Sequence, residues 1–332
     1  MGLSDVLINI CTETPLPLCP LIGPKNEISG QTGVPTLCYS RSVELANTII
    51  FQGAAGFAHI IALAMTVIMI IHVRGKFTAV GRKEITTFFY IYALLVCFSV
   101  IVDCGVVPPR SGAYPYFVAA QCGLTSATCL SLMINGFVGF QLYEDGTTLS
   151  VWLLRLCSMF VFLVSFAVSL LTFKGWGSLG PENTVGLFVL VYIFSALFLA
   201  VYVIMQLILV LGTLQERWPL LHILFGVLGF VFGQIILYVF SRTICDGVQH
   251  FMDGLFSATL LNLLAVMMVY KYWDSITKED LEFSVGMRQN NWDVKEPLMA
   301  EDSRKNTFYE ADEYNSSAFF QQPRRTSVVS HY

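Results

Sequence analysis

The sequence predicts an all-α, polytopic membrane protein with seven transmembrane helices, and three observations carry that prediction. Of 332 residues, 55% are hydrophobic and only 13% are charged, where soluble domains carry about a quarter. Mean hydropathy is +0.66. Seven runs, 45–73, 85–102, 111–143, 156–173, 183–215, 218–241 and 254–270, contain no Asp, Glu, Lys or Arg. Each is near or above the ~17–25 residues that a spanning helix needs. A transmembrane barrel is excluded, because its strands alternate polar and apolar residues in shorter segments.

Residues 1–46 form a Pro-rich N-terminal segment (Pro15, Pro17, Pro20, Pro24, Pro35) too short to build a core of its own. It is expected to lie across the ends of the helices. The first twelve residues lack the basic region and apolar core of a cleaved signal, so the first span is expected to serve as an uncleaved one. A transmembrane domain then occupies 47–273, with spans at about 47–73, 85–107, 115–142, 150–173, 184–212, 219–241 and 248–270. Residues 274–332 read as a polar, largely disordered tail.

Within the first span, Gly53 and Gly56 precede His59. A lone histidine in a membrane span points to a hydrogen bond between helices. The third span holds Gln121, Ser126, Thr128, Asn135 and Gly136, too much polarity for lipid, so it is expected at the centre of the bundle. Thr147 or Thr148 is placed to cap the fourth span. Gly226, Gly229 and Gly233 give the sixth span a small-residue face for close helix approach, with Gln234 as polar glue. Trp152, Trp176, Trp218 and Trp273 fall at predicted helix ends, where an interfacial belt places them.

Basic residues set the orientation. Arg74, Lys76, Arg82 and Lys83 lie between the first two spans, and Lys271, Lys278 and Arg288 follow the seventh. The opposite loops offer only Arg110, Lys174 and Arg242. Short basic loops stay cytosolic, which puts the N-terminus in the lumen and the C-terminus in the cytosol. The acidic pair Glu144-Asp145 after the third span is the one dissenting loop.

Chemistry concentrates in two clusters. Asp103-Cys104-Gly105 ends the second span ahead of Pro108-Pro109, which stop any helix. Cys245-Asp246-Gly247, with His250 and Asp253, separates the sixth span from the seventh. The two clusters are expected to face one another. Cys11, Cys19, Cys38, Cys104 and Cys245 all approach the oxidising side, where disulfides form. Cys11 with Cys19 would staple the N-terminal segment and Cys104 with Cys245 would tie the second span to the seventh, the alternative being that these thiols stay unpaired. Spacing does not fix connectivity, and an odd count leaves one cysteine over.

Asp103, His250 and Asp253 also define the alternative reading, a seven-helix metal-dependent hydrolase. Only one of five histidines is well placed for it, whereas such sites need three or more protein ligands. A structural hydrogen-bond cluster is the favoured reading. A seven-helix receptor is the other alternative, but the Asp-Arg-Tyr and Asn-Pro-x-x-Tyr signatures of the rhodopsin-like class are absent from the sequence. No nucleotide loop or nucleophile motif is present. The composition implies no cofactor, and it points to lipid rather than nucleic acid.

Several stretches together resemble the fungal chitin synthase export chaperones. They are Cys11-x-x-x-Pro15-Leu16-Pro17-Leu18-Cys19, Cys38-Tyr39-Ser40-Arg41-Ser42-Val43-Glu44-Leu45-Ala46-Asn47-Thr48 and Asp103-Cys104-Gly105 through Tyr114-Pro115-Tyr116-Phe117-Val118-Ala119. Glu144-Asp145-Gly146-Thr147-Thr148, Leu171-Thr172-Phe173-Lys174 and Met268-Val269-Tyr270-Lys271 through Asp280-Leu281-Glu282-Phe283 continue the likeness in order, over roughly residues 1–285. The resemblance implies an endoplasmic reticulum membrane protein that binds newly made chitin synthase and promotes its folding and export for cell-wall chitin synthesis, with no covalent catalysis.

On that reading Asp103, Cys104, Cys245, His250 and Asp253 form a structural cluster. Glu144 and Asp145 are candidate client contacts. Trp273, Asp274, Asp280, Leu281 and Glu282 are candidate client or export contacts, the last three as a diacidic signal for export-coat machinery.

Overall fold

Among the described residues of this computed structural model, seven helices are long and apolar enough to cross a membrane. The structure describes residues 3–24, 32–45, 48–77, 79–140, 146–176, 179–213 and 217–293, with side chains described no further than Thr277. The spans are α2 (Gly53–Gly75), α3 (Arg82–Asp103), α4 (Tyr114–Val138), α5 (Thr148–Lys174), Val185–Gly212, Trp218–Gly247 and Gly254–Thr277. Ahead of them lie α1 (Leu3–Glu13), a single 3-10 turn (Cys19–Leu21) and an antiparallel hairpin of β1 (Val43–Leu45) and β2 (Thr48–Ile50). The end of the bundle that carries this segment is called the upper end below.

The hairpin corrects the first boundary. Thr48, Ile49 and Ile50 are β-branched and pair with Val43–Leu45, so the first helix starts at Gly53 rather than 47, after Gln52 turns left-handed (φ 46°). Within that strand register, Val43 faces Gly53, where any Cβ would overlap its side chain.

The fifth and sixth spans are composite. The fifth runs through α6 (Val185–Phe188), a π-helical turn (Val189–Ile193) and α7 (Phe194–Thr213). The sixth runs through α8 (Trp218–Ile235), a second π turn (Ile236–Phe240) and α9 (Ser241–Gly247). The two π turns meet, with the Tyr192 and Tyr238 rings 6.4 Å apart. A π turn upsets the regular carbonyl ladder, and a hydroxyl from another element serves each one. Ser126 donates to the Leu190 carbonyl at 3.5 Å, and Thr14, just past the end of α1, donates to the Leu237 carbonyl at 2.9 Å. The last helix, α10 (Gly254–Asp293), does not stop near 270 as expected, and the compact unit ends at Thr277.

The polar third span is the most enclosed, with 67% of its apolar window buried against 17–44% in the other six. It packs between α3, α5 and α7. Its polar groups find partners there: Gln121 donates to Ser99 of α3 at 3.0 Å, and Gln206 of α7 donates to the Gly136 carbonyl at 3.4 Å. Thr147 caps α5, accepting from the Ser150 N–H. Arg155, two turns into α5, is exposed beside Trp152, as expected of a side chain that snorkels toward the interface.

The glycine face of α8 meets α10. Gly226, Gly229 and Gly233 lie against Met268, Leu264 and Leu261, and Gln234 donates to Asn262 at 3.3 Å. A Cβ at Gly233 would stand 3.1 Å from that of Leu261, closer than packed carbons sit, which is why the small residue is required.

Candidate functional site: the upper junction

The N-terminal segment is part of the core rather than an appendage. Leu7, Cys11, Leu18, Cys19, Leu21 and Ile22 are buried in one cluster with Tyr114, Val118, Phe173, Leu187 and Val191. The disulfide Cys11–Cys19 closes it. The Tyr114 hydroxyl donates to the Pro17 carbonyl at 2.7 Å, and Gly23 N–H donates to the Pro181 carbonyl at 2.9 Å. Apolar side chains seal this segment onto α4 and the fifth span, while backbone groups satisfy each other at the rim.

Beyond it, residues 38–52 gather the upper ends of four spans. Cys38 is bonded to Cys245 at the end of the sixth span. Arg41 N–H donates to the His250 carbonyl at 2.7 Å, and the His250 Nδ1 lies 3.3 Å from the Tyr39 carbonyl. Gln249 and His250 both turn left-handed, with φ of 52° and 68°, and this reversal carries the chain from α9 to α10. On the other side, Phe51 N–H donates to the Cys104 carbonyl at 3.1 Å. The Phe51 ring covers Gly105, whose φ of 71° and lack of Cβ the contact requires.

Asp103 is buried, and its Oδ2 stands 2.8 Å from Nε2 of His59 in α2. Sequence reasoning named both residues without pairing them. The signal was the i, i+4, i+7 stripe Gln52, Gly56, His59, which shares one helical face. Cys104 occupies the middle of that stripe, its sulfur filling the space a Cβ on Gly56 would need.

Asp253 is fully buried, and its Oδ1 accepts from the Phe256 N–H at 3.1 Å, capping α10. Burial pushes its carboxyl above the ordinary range. The Phe256 N–H and the Ser40 hydroxyl and backbone pull it back down, while the Asp103 carboxylate pushes further up. Asp253 therefore senses the Asp103 carboxylate. Burial, then Asp103, also raises the Cys104 thiol.

The Cys104–Cys245 bridge is not the one formed. Cys245 pairs with Cys38, and Cys104 is a free thiol, because the segment carrying Cys38 lies between the second span and the α9–α10 turn. Asp103, His250 and Asp253 do not converge on one point either. Asp103 is held by His59 of the first span, while the His250 ring rests on the disulfide, 3.2 Å from Cys38 Sγ and 3.6 Å from Cys245 Sγ. The metal-hydrolase reading finds no support in this arrangement.

At the lower end a second polar set closes the loops. Glu84, fully buried in the first turn of α3, accepts from the Gly146 N–H and the Ser150 hydroxyl, both at 3.0 Å. Lys83 donates to the Gly146 carbonyl at 2.7 Å. Glu144 and Asp145 lie outside the described residues, immediately before that clamp. Trp273 donates to the Val80 carbonyl at 3.1 Å, and Asp274 pairs with Lys76, so both are engaged with the loop between the first two spans. Asp280, Leu281 and Glu282 lie on α10 beyond the described side chains.

Fold and site together define a multi-pass helical membrane protein whose buried polar groups join its own spans to one another. A family profile described as chitin synthase export chaperone matches residues 6–287. Relatives of that name are 64% identical over 320 residues in Aspergillus oryzae (96% of each chain) and 65% over 302 in Aspergillus fumigatus (91% of each). A third, from Chaetomium globosum, is 60% identical over 331 residues, covering 100% of this chain and 99% of its own. The chain belongs to the chitin synthase export chaperone family. No solved structure matches it.

Proposed function

We propose that this chain binds newly made chitin synthase in the endoplasmic reticulum membrane and promotes its folding and export to the cell surface, performing no covalent chemistry itself. The observation that carries this reading is the family match, which runs from residue 6 to 287 and takes in all seven spans. The mechanism is masking. Polar or small-residue faces of a client's spans are costly to leave unpaired in lipid, and a bundle whose spans are tied to one another by buried polar contacts offers a stable surface to cover them.

The upper end is assigned to the lumen and the lower end to the cytosol. Two disulfides at the upper end support this, since such bonds persist in oxidising compartments. So do Arg74, Lys76, Arg82 and Lys83 at the lower end. On this orientation Glu144 and Asp145 are cytosolic acidic residues that meet basic client segments. Asp280, Leu281 and Glu282 begin the tail that meets export machinery. Trp273 and Asp274 hold α10 to the first cytosolic loop and act on the client through that placement.

The test is the location of a tagged chitin synthase in cells with and without the chain, alongside cell-wall chitin. Synthase retained in the endoplasmic reticulum with reduced chitin is expected. Synthase reaching the cell surface normally would rule out that client. Alanine at Glu144 and Asp145, and separately at Asp280, Leu281 and Glu282, then sorts the contacts by export at normal chaperone level.

A further inference from the structure

Two sulfurs and an imidazole nitrogen meet at the upper junction. Among the described residues, Cys38, Cys245 and His250 are the one group of three His, Cys, Asp or Glu side chains with all ligand atoms within 4.8 Å. Nδ1 of His250 lies 3.2 Å from Cys38 Sγ and 3.6 Å from Cys245 Sγ. A tetrahedral zinc ion, with bonds of about 2.3 Å to sulfur and about 2.0 Å to nitrogen, sets such atoms about 3.5 Å apart. The imidazole already stands at ligand spacing from both sulfurs. Only the sulfurs have to part, to about 3.8 Å.

We propose that before the Cys38–Cys245 bridge closes, the chain holds a zinc ion on Cys38, Cys245 and His250, and that closing the bridge releases it. Thiolate with imidazole is the donor set that selects zinc over calcium or magnesium. Cys38 and Cys245 are 2% and 0% exposed. A pair of thiolates in such a place is costly unless a cation compensates it. His250 is exposed, which leaves the fourth position to water from the solvent side. The backbone that carries the ring is fixed from behind: the Arg41 N–H holds the His250 carbonyl, and Arg41 lies over the Phe251 ring at 5.1 Å.

The chemistry balances. Binding displaces two thiol protons to solvent. Bridge closure forms one S–S bond, and the two thiolates pass two electrons to an incoming disulfide of the thiol-exchange class. That reagent takes two protons and leaves as a dithiol. Zinc departs as Zn²⁺, and His250 keeps its imidazole. The ion is structural, a provisional staple for two segments 207 residues apart in sequence.

The test uses the full-length chain in detergent, reduced and freed of reductant, titrated with Co²⁺ as a spectroscopic stand-in and then with Zn²⁺. Thiolate-to-cobalt absorption at one equivalent, quenched by zinc, is expected. Cys38→Ser/Cys245→Ser should abolish it, which also controls for the other thiols. His250→Ala should weaken binding by at least about tenfold while the bridge still forms. Oxidation with diamide should release one zinc per chain to a chromogenic chelator. Equal binding by the double serine variant or by His250→Ala overturns the proposal. So does a reduced chain that loses its helical circular dichroism even with zinc present. None of these readouts depends on client export.

Discussion

Nε2 of His59 stands 2.8 Å from Oδ2 of Asp103, across the interface of α2 and α3 and away from water. The contact explains why a histidine and an aspartate are tolerated among apolar spans: each gives the other a polar partner. Replacing Asp103 by Leu leaves a buried imidazole without its partner, with an expected loss of about 1–3 kcal/mol. His59→Leu with Asp103→Leu should recover part of it. A double-mutant cycle on thermal unfolding in detergent measures the coupling, and additive losses would show that the pair contributes nothing jointly.

Glu84 is the counterpart at the lower end. Its Oε1 joins the first turn of α3 to Gly146 and Ser150. Glu84→Ala removes both acceptances and frees the connection between the third and fourth spans, at a local cost of about 1–3 kcal/mol. Glu84→Gln keeps an acceptor and should be milder. Limited proteolysis of the two variants is the measurement, with faster cleavage near residues 141–146 expected for alanine only.

The two disulfides should differ in worth. Chain-entropy reasoning gives about 5 kcal/mol for the bridge spanning 207 residues and about 2.5 kcal/mol for the one spanning 8. Membrane insertion already restrains the unfolded chain, so both are upper values and the order is the prediction. Cys245→Ala should lower the unfolding temperature more than Cys19→Ala. Equal shifts would show that the long bridge closes a loop already held by packing.

Asp253 makes stability depend on pH. Burial raises its folded-state pKa above the ordinary 3.8, so the folded chain binds this proton more tightly than the unfolded chain. The stabilisation from that proton is full below 3.8 and is lost as pH rises through the raised value. Asp253→Asn keeps an acceptor for the Phe256 N–H and has no proton to lose, so its unfolding temperature should vary less over that window. Asp253→Ala also loses the helix cap, worth about 1 kcal/mol. Unfolding temperature against pH for the three proteins decides it, and parallel curves for Asp253 and Asn would sink the assignment.

Much of the architecture was legible because the bilayer imposes a simple rule: a span is a charge-free stretch of sufficient length. The seven helices, the Thr147 cap, the buried third span and the Gly226–Gly233 face all follow from local composition. The partners do not. Cys38 finds Cys245 and His59 finds Asp103 only through the path of the chain between them, which no spacing encodes. The π turns were illegible for the same reason. Their carbonyls are served by Ser126 and Thr14 from other elements, so the irregularity exists only once those elements are in place. The strand at 48–50 hid inside an apolar run because β-branched residues suit a strand and a span alike.

The Cys38–Cys245 bridge and the Thr14–Leu237 contact both join the earliest-made part of the chain to nearly its last-made span. At about 5–20 residues per second, synthesis of the intervening 207 residues takes on the order of 10–40 s. Through the earlier part of that interval the segment carrying Leu7, Leu18 and Ile22 has emerged, apolar, while the helices that cover it, from Tyr114 to Val191, are still being made. A protein of the export chaperone family thus itself passes through a stage with an apolar surface waiting for membrane partners not yet made.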